Sequence, residues 1–295
     1  MQAILLAAGF GTRLKPYSSI KPKPLFPVLN RPLLHVQLEK LQASGCTRII
    51  VNAHHLAAEI EEALLGWPNV RLQYEPEILG TGGSLREALG NLCDEPVLVV
   101  NGDVYHDISL QALYRQHLAS GNAVTMALHD LPRFNSVQTE ADRVLHFKGG
   151  PGALAFTGLQ VVNPEVIAQI PPACFFHIID LYEELATSGS IGLMRVDGSF
   201  WQDMGTPEDY LHLHAALLQP GQWLVDPSAR IANGVHLEGW GCIGAHAVVA
   251  SGAQLRDCVL WDGVQVPAGA RHSFRILSGK PEIDSQTISA PAAMS

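Results

Sequence analysis

Long apolar runs are missing from this 295-residue chain, and so is any excess of positive charge. No stretch approaches the ~20 consecutive apolar residues that a membrane-spanning helix needs. The apolar opening has no basic segment ahead of it and runs straight into a glycine loop, so it does not read as a secretory signal. Lys and Arg number 19 against 28 Asp and Glu, giving a net charge of -9. That balance leaves no general nucleic-acid footprint, and any anion site must draw on local cations, which concentrate at Arg13, Lys21 and Lys23. Cysteine is scarce as well: Cys46, Cys93, Cys174, Cys242 and Cys258 are scattered, with no C-x-x-C. An odd, unpatterned set reads as reduced thiols in a cytoplasmic protein and not as a disulfide or zinc framework. There is no H-E-x-x-H, and the adjacent His54 and His55 would point apart on a helix, so they read as surface or packing residues. What is present, 47% hydrophobic and 16% charged, suits a globular protein with one large core and room for a small second domain.

The most informative stretch is the first, MQAILLAAGFGTRLKPYSSIKPKPLFP. Ile4, Leu5 and Leu6 read as a buried strand, and Ala7-Ala8-Gly9-Phe10-Gly11-Thr12 as the loop leaving it. Small residues let backbone approach a ligand closely, and successive free N–H groups in such a loop favour phosphates. Arg13 adds a charged fork suited to phosphate oxygens. Lys23 stands between two prolines that stiffen its backbone, which makes it a positioned point charge. The dinucleotide fingerprint does not fit, because Leu14 stands where a third glycine is needed, and no Gly-Lys-Ser/Thr follows to make a P-loop.

Downstream, helical spacing (Leu34, Leu38, Leu41; then Leu56, Ile60, Leu64) alternates with short apolar strands at 48–52, 70–74 and 96–100. A further helix is predicted over 84–89. Such alternation implies right-handed crossovers and an α/β domain with a doubly wound, mostly parallel sheet of Rossmann-like type. Ligands in such sheets gather at the carboxyl ends of the strands, where the opening loop and Asn101-Gly102-Asp103 both fall. From about Asn122 the pattern becomes β-rich. Ile178, Leu181 and Leu185 mark another helix, and Pro207 opens one that runs to about Leu217. Asp107 is expected to cap the helix that begins near Ser109.

The last quarter differs in kind. Ile231, Leu237, Ile243, Val249 and Leu255 recur six apart, and after a one-residue slip Leu260 and Val266 continue the series. Small or β-branched partners follow each by about four residues. This is the hexapeptide repeat of a short left-handed parallel β-helix. The predicted organisation is a domain over 1–217, a linker over 218–227, the β-helix over 228–278 and a mobile tail over 279–295.

Taken together, LAAGFGTRL, a spacer and PKPLFPV resemble the paired signature of the sugar-1-phosphate nucleotidyltransferases. The resemblance covers residues 1 to about 217. It implies transfer of a nucleoside monophosphate from an NTP to a sugar 1-phosphate, with Arg13 and Lys23 catalytic. It also implies that Leu6, Ala7, Ala8, Gly9, Gly11 and Thr12, with Gly80, Thr81, Gly82 and Gly83 of LGTGG, hold the nucleotide. Asp103 of NGD and Asp203 before Gly205-Thr206 match the family's two metal positions, for Mg2+. Magnesium takes a few carboxylates and completes its shell with water and substrate phosphates. The sugar side departs from the family. His146-Phe147-Lys148-Gly149-Gly150-Pro151 stands where a Glu-Lys-Pro is usual, leaving Lys148 for the sugar phosphate, and Phe156-Thr157-Gly158 replaces Asn-Ala-Gly. LGTGG and the repeat point to a GDP-mannose-type product. The sugar-side residues look more like a UDP-forming N-acetylmuramate-1-phosphate-type enzyme. A non-catalytic, nucleotide-sugar-binding paralogue, a hexapeptide acyltransferase using His236, His246 or His272, and assembly of copies through the repeat are the other readings the chain leaves open.

Overall fold

β1 (Gln2–Leu6) lies third from one edge of a nine-stranded sheet, inside its parallel part. The computed structural model of the chain describes residues 1–284 and Ile288. The chain forms two compact units, Met1–Phe10 with Val36–Trp201, and Gly11–His35 with Gln202 onward.

In the first unit the strands are β1, β2 (Arg48–Ala53), β3 (Val70–Tyr74), β4 (Val97–Asn101), β5 (Val124–His129), β6 (Asn135–Glu140), β7 (Arg143–His146), β8 (Leu154–Val162) and β9 (Ile191–Arg195). Their spatial order is β3-β2-β1-β4-β8-β5-β9-β7-β6. β3, β2, β1 and β4 are all parallel, with Ile4 opposite Ile50 on one side and Val99 on the other. These residues have zero or almost no exposure, and continuous Val/Ile/Leu runs of this kind mark strands covered on both faces. The helices are α1 (Leu33–Ala43), which crosses from one unit to the other, α2 (Ala57–Ala63), α3 (Gly80–Ala88), α4 (Leu110–Ser120), α5 (Pro164–Ala168) and α6 (Ile178–Thr187). One core joins Ile4, Ile50, Val97, Val99, Val124 and Met126 to Leu85, Val166, Ile167, Ile178 and Leu181 of α3, α5 and α6. Each fully buried aliphatic side chain of this kind contributes about 1.5–3 kcal/mol.

The expected mostly parallel sheet is corrected to a mixed one. β8 runs antiparallel to β4, β5 and β6, and β7 antiparallel to β6 and β9. The β-rich second half has few crossover helices to reverse the chain, so its strands return directly. Two local expectations also shift. α3 begins at Gly80, four residues before the predicted start. Ser109 caps α4, accepting from the Ala112 N–H at 3.2 Å. Asp107 instead accepts from the Phe200 N–H at 2.7 Å.

In the second unit, β10 (Trp201–Asp203) leads into α7 (Pro207–Leu217), where Thr206 accepts from the Asp209 N–H at 3.1 Å and Pro207 occupies the first turn. β11 (Trp223–Val225), β13 (His236–Ile243), β15 (Gln254–Leu260) and β17 (Arg271–Leu277) form one parallel ladder, and β12 (Arg230–Ile231), β14 (Val248–Val249) and β16 (Gln265–Val266) another. Leu237 pairs with Leu255, 18 residues on, and Leu255 with His272, 17 on. The ladder shifts between Glu238 and Gly241, where Gly239 takes φ +66 and a Cβ would meet the Asp257 carboxylate. That bulge is the physical form of the one-residue slip in the repeat. Of the expected mobile tail, Pro281–Asp284 is a short helix, α8, and the Asp284 carboxylate accepts from the Ser278 and Gly279 N–H groups. Residues 285–287 and 289–295 of it lie outside the described residues. Among the described residues, no helix is long and apolar enough to cross a membrane.

Two buried histidines give the fold a pH dependence. His214 accepts from the Leu29 N–H at 3.3 Å through Nε2 and faces the Tyr210 carbonyl at 2.9 Å through Nδ1, which fits a neutral ring protonated on Nδ1. Burial pushes its pKa down to about 4. In the first unit, burial and then the charge of Lys40 push His106 down to about 3. The unfolded chain binds these protons near the ordinary value of about 6.5, so their contribution is whole above that pH and is lost as pH falls toward 4 and 3. Thermal melts between pH 7 and 4 are expected to show the midpoint dropping. His214→Gln should make the unfolding free energy less steep by about 1.4 kcal/mol per pH unit across that window. An unchanged slope would contradict the assignment.

Candidate active site

The residues singled out in the sequence fall in both units, and the boundary after Phe10 divides the opening loop between them. In the first unit, the order of the parallel strands reverses between β1 and β4, because β2 and β3 lie on one side of β1 and β4 on the other. Such a switch point opens a crevice at the carboxyl ends of the strands. Leu6 there is in register with Asn52 and with Asn101, so three loops leave the sheet side by side.

Their ends are tied together. The Ala7 N–H donates to Asn52 Oδ1 at 2.6 Å. The Gly102 N–H donates to the Leu6 carbonyl at 2.8 Å, and a Cβ on Gly102 would lie 2.7 Å from that oxygen. Only glycine brings the Asp103-bearing turn this close to the end of β1. Gly158, at φ +79, lies against the side chain of Asn101, where a Cβ would sit 2.6 Å from Nδ2. The fold therefore gathers Leu6–Ala8, Gly102–Asp103 and Gly158 at one edge. Gly9 is exposed with open space beside it, as a loop that admits a ligand requires. Lys148 is not gathered with them. It lies exposed after β7, four strands from β4, its N–H donating to His146 Nδ1 at 3.3 Å.

The glycines of LGTGG act differently from the expectation of close backbone approach to the nucleotide. A Cβ on Gly80, Gly82 or Gly83 would strike the Cys174–Phe176 backbone or the Phe176 ring at 2.5–2.7 Å, and the Gly82 N–H donates to the Phe176 carbonyl at 2.9 Å. Their closeness is to protein. Thr81 Oγ1 accepts from the Ile178 N–H at 3.3 Å.

Two further residues, Asn52 and Glu75, belong to this edge. Asn52 Nδ2 donates to Glu75 Oε1 at 2.9 Å and to Ser84 Oγ at 3.0 Å, so one buried side chain joins the opening loop to the acid after β3 and to α3. Glu75 is 1% exposed, and its Oε2 has no hydrogen-bond partner. The signals available were polar residues closing apolar strands. His54 and His55, expected to point apart on a helix, sit in a turn, and both rings meet exposed Phe10 at 5.2 and 5.9 Å.

In the second unit, Gly11 at φ +60 turns the chain into a 3-10 turn over Thr12–Leu14, and Ser18 Oγ donates to its carbonyl at 2.8 Å. Two more such turns follow, Tyr17–Ser19 and, after Pro22, Lys23–Leu25. Lys23 Nζ is 3.6 Å from Asp203 Oδ1, and Arg13 Nη2 is 4.0 Å from Asp203 Oδ2. The Lys23 and Asp203 side chains are 9% and 12% exposed, whereas that of Arg13 is 66% exposed. A Cβ on Gly205 would clash with Asp203 Oδ2 and come within 3.2 Å of Arg13. Two cations ten residues apart are thus held on one half-enclosed carboxylate. Among the described residues no three or more His, Cys, Asp or Glu form a metal cage. The donors offered are single carboxylates, the kind magnesium supplements with water and phosphate oxygens.

A nucleotidyl transferase family model matches residues 2–220. The chain is 31% identical over 294 residues to a mannose-1-phosphate guanylyltransferase of Mycobacterium tuberculosis, covering 91% of this chain and 82% of that one. It is 26% identical over 345 residues to a UTP–glucose-1-phosphate uridylyltransferase of a Synechocystis strain, covering 96% and 89%. Among solved structures it resembles a putative glucose-1-phosphate thymidylyltransferase from Bacillus anthracis, with a TM-score of 0.67 at 18% identity over 73% of this chain and 94% of that one.

Proposed function

Because the chain belongs to the nucleotidyl transferase family, we propose that it joins GTP and mannose 1-phosphate into GDP-mannose, releasing pyrophosphate. The observation that carries this reading is the pair of cations, Lys23 and Arg13, converging on Asp203. In the reaction, a phosphate oxygen of the sugar 1-phosphate attacks the α-phosphorus of the triphosphate. A new P–O bond forms as the bond to the bridging oxygen of the β-phosphate breaks, and pyrophosphate leaves with that electron pair. No covalent enzyme intermediate is needed, so the protein contributes position and charge. Arg13 and the loop of residues 6–12 hold the triphosphate and the departing pyrophosphate. Lys23 neutralises charge growing at the α-phosphate. Asp103 and Asp203 would supply oxygen donors for Mg2+, which would act as a Lewis acid polarising the phosphates. Residues 80–83 bound the nucleotide side and Gly158 the sugar-phosphate side, while Lys148, expected there, stands exposed four strands from β4.

The chemistry is assigned to residues 1–217; of the expected linker over 218–227, Trp223–Val225 pairs with Gly241–Ile243 as the first strand of the ladder. The ladders that step by 18 and 17 residues support a left-handed hexapeptide β-helix over 228–278, suited to packing or assembly of copies. The odd, unpatterned set of cysteines supports a cytoplasmic enzyme. A UDP-sugar-forming activity is the second reading, favoured by the residues at 146–158.

The test is to incubate the protein with each of four nucleoside triphosphates and a panel of sugar 1-phosphates, and to measure pyrophosphate. GTP with mannose 1-phosphate is expected to be fastest. Faster release from UTP would select the second reading, and no release from any pair, with sugar-nucleotide binding by calorimetry, would make the protein a binding paralogue.

A further inference from the structure

The second unit joins stretches that are far apart in sequence, the Lys23 segment and the coils. Trp261, at the end of β15, is 3% exposed, and its ring lies 4.8 Å from that of Phe26 and 5.9 Å from that of Tyr17. These two aromatics bracket the stretch that carries Lys23. Phe26 also closes the Lys23 turn, its N–H donating to the Lys23 carbonyl at 3.1 Å. The Trp261 indole N–H donates to the Tyr210 hydroxyl at 3.2 Å, and that hydroxyl donates to the Pro27 carbonyl. Tyr17 donates to the Ile276 carbonyl at 3.4 Å, Asn30 Nδ2 to the Ile243 carbonyl at 2.9 Å, and the Lys21 ammonium stands 5.8 Å over the Trp261 ring. These fastenings of the stretch from Tyr17 to Asn30 run to residues 210–276.

We infer that Trp261 is a positioning residue for the transfer reaction: with Tyr210 it clamps Tyr17, Phe26 and Pro27, and through them fixes where the Lys23 ammonium stands. The inference rests on the reading of Lys23 as catalytic. An ammonium acting on charge that develops only during transfer must be placed to within a fraction of an ångström, and a displacement of about 1 Å costs about 10²-fold. The substrate, held also by other groups, would bind nearly as before. The coils are then part of the catalytic apparatus, although none of their side chains is assigned to touch the substrate.

The test compares three full-length variants. Trp261→Ala is expected to lower kcat by about 10–100-fold with KM for the triphosphate within about threefold of the parent. Tyr210→Phe keeps the ring contacts and removes only the hydroxyl that links Trp261 to Pro27, and is expected to lower kcat by about three- to tenfold. Val249→Ala, in the same coils and fully buried, costs packing and is expected to leave kcat unchanged at temperatures where it is folded. Labelling of Lys23 by an amine reagent, read by peptide mass spectrometry on the proteins without substrate, should rise in Trp261→Ala and not in Val249→Ala. Should Trp261→Ala fail to fold, Tyr210→Phe carries the same two readouts. Labelling and kcat matching those of Val249→Ala would overturn the inference. Increased labelling, with Lys23→Ala itself still active, would uphold the clamp and refute the catalytic reading instead.

Discussion

Lys23→Ala lowers turnover by about 10²–10³-fold, the usual loss when one preorganised charge or donor is removed from a transition state. The expectation follows from where the ammonium stands. It is almost fully enclosed, follows a stiff Pro22 and opens a one-turn helix, and is held 3.6 Å from Asp203 Oδ1. A charge already desolvated and oriented needs little reorganisation when the reaction develops new negative charge. Truncation leaves Asp203 with Arg13 as counter-charge, so the far-ultraviolet dichroism and melting midpoint should stay close to those of the parent. Steady-state pyrophosphate release measures the effect. Turnover within tenfold of the parent, in a folded variant, would contradict the role given to Lys23.

Gly102→Ala is the second large effect. The added methyl would stand 2.7 Å from the Leu6 carbonyl, an oxygen that also accepts the Gly102 N–H at 2.8 Å. Neither atom has freedom to yield, since Leu6 ends a strand paired on both sides with β2 and β4. The turn must move outward and carry Asp103 with it. Overpacking of this kind costs about 1–3 kcal/mol, and a carboxylate shifted by about 1 Å costs about 10²-fold in rate. Gly90→Ala, with open space around its Cβ position, serves as the control and should change neither the melt nor the rate. A Gly102→Ala enzyme within twofold of the parent in kcat/KM would show that the turn tolerates displacement.

What the sequence made legible, and what it hid, follows from how far each feature reaches along the chain. The strands at Ile4–Leu6, 48–52 and 96–100 announced themselves through continuous apolar runs, and the coils through a period of six. The glycine loop could be read because its small residues and Arg13 are consecutive in the chain. Features that depend on distant partners were hidden. Nothing near Gly82 or Gly83 says that Cys174–Phe176 will press against them, so the part these glycines play in the protein's own packing could not be read from the local sequence. Asn52 looked like the end of a strand, and only the fold joins it to Ala7, Glu75 and Ser84. The antiparallel half of the sheet was misread because short strands without intervening helices carry no mark of direction. The membership of Gly11–His35 in the second unit was invisible for the same reason: its fastening points, Tyr210, Trp261 and Ile276, lie some two hundred residues away.

That membership bears on how the molecule comes into being. Synthesis proceeds from the amino terminus, and domains generally fold as units while the chain emerges. Residues 11–35 leave the ribosome early, but the tryptophan and carbonyl groups that fasten them are made nearly last. Lys23, the lysine proposed to act on the α-phosphate, is therefore among the first side chains to be synthesised and among the last to find its place, and a nascent chain halted before the coils carries its segment without the contacts of Tyr210 and Trp261.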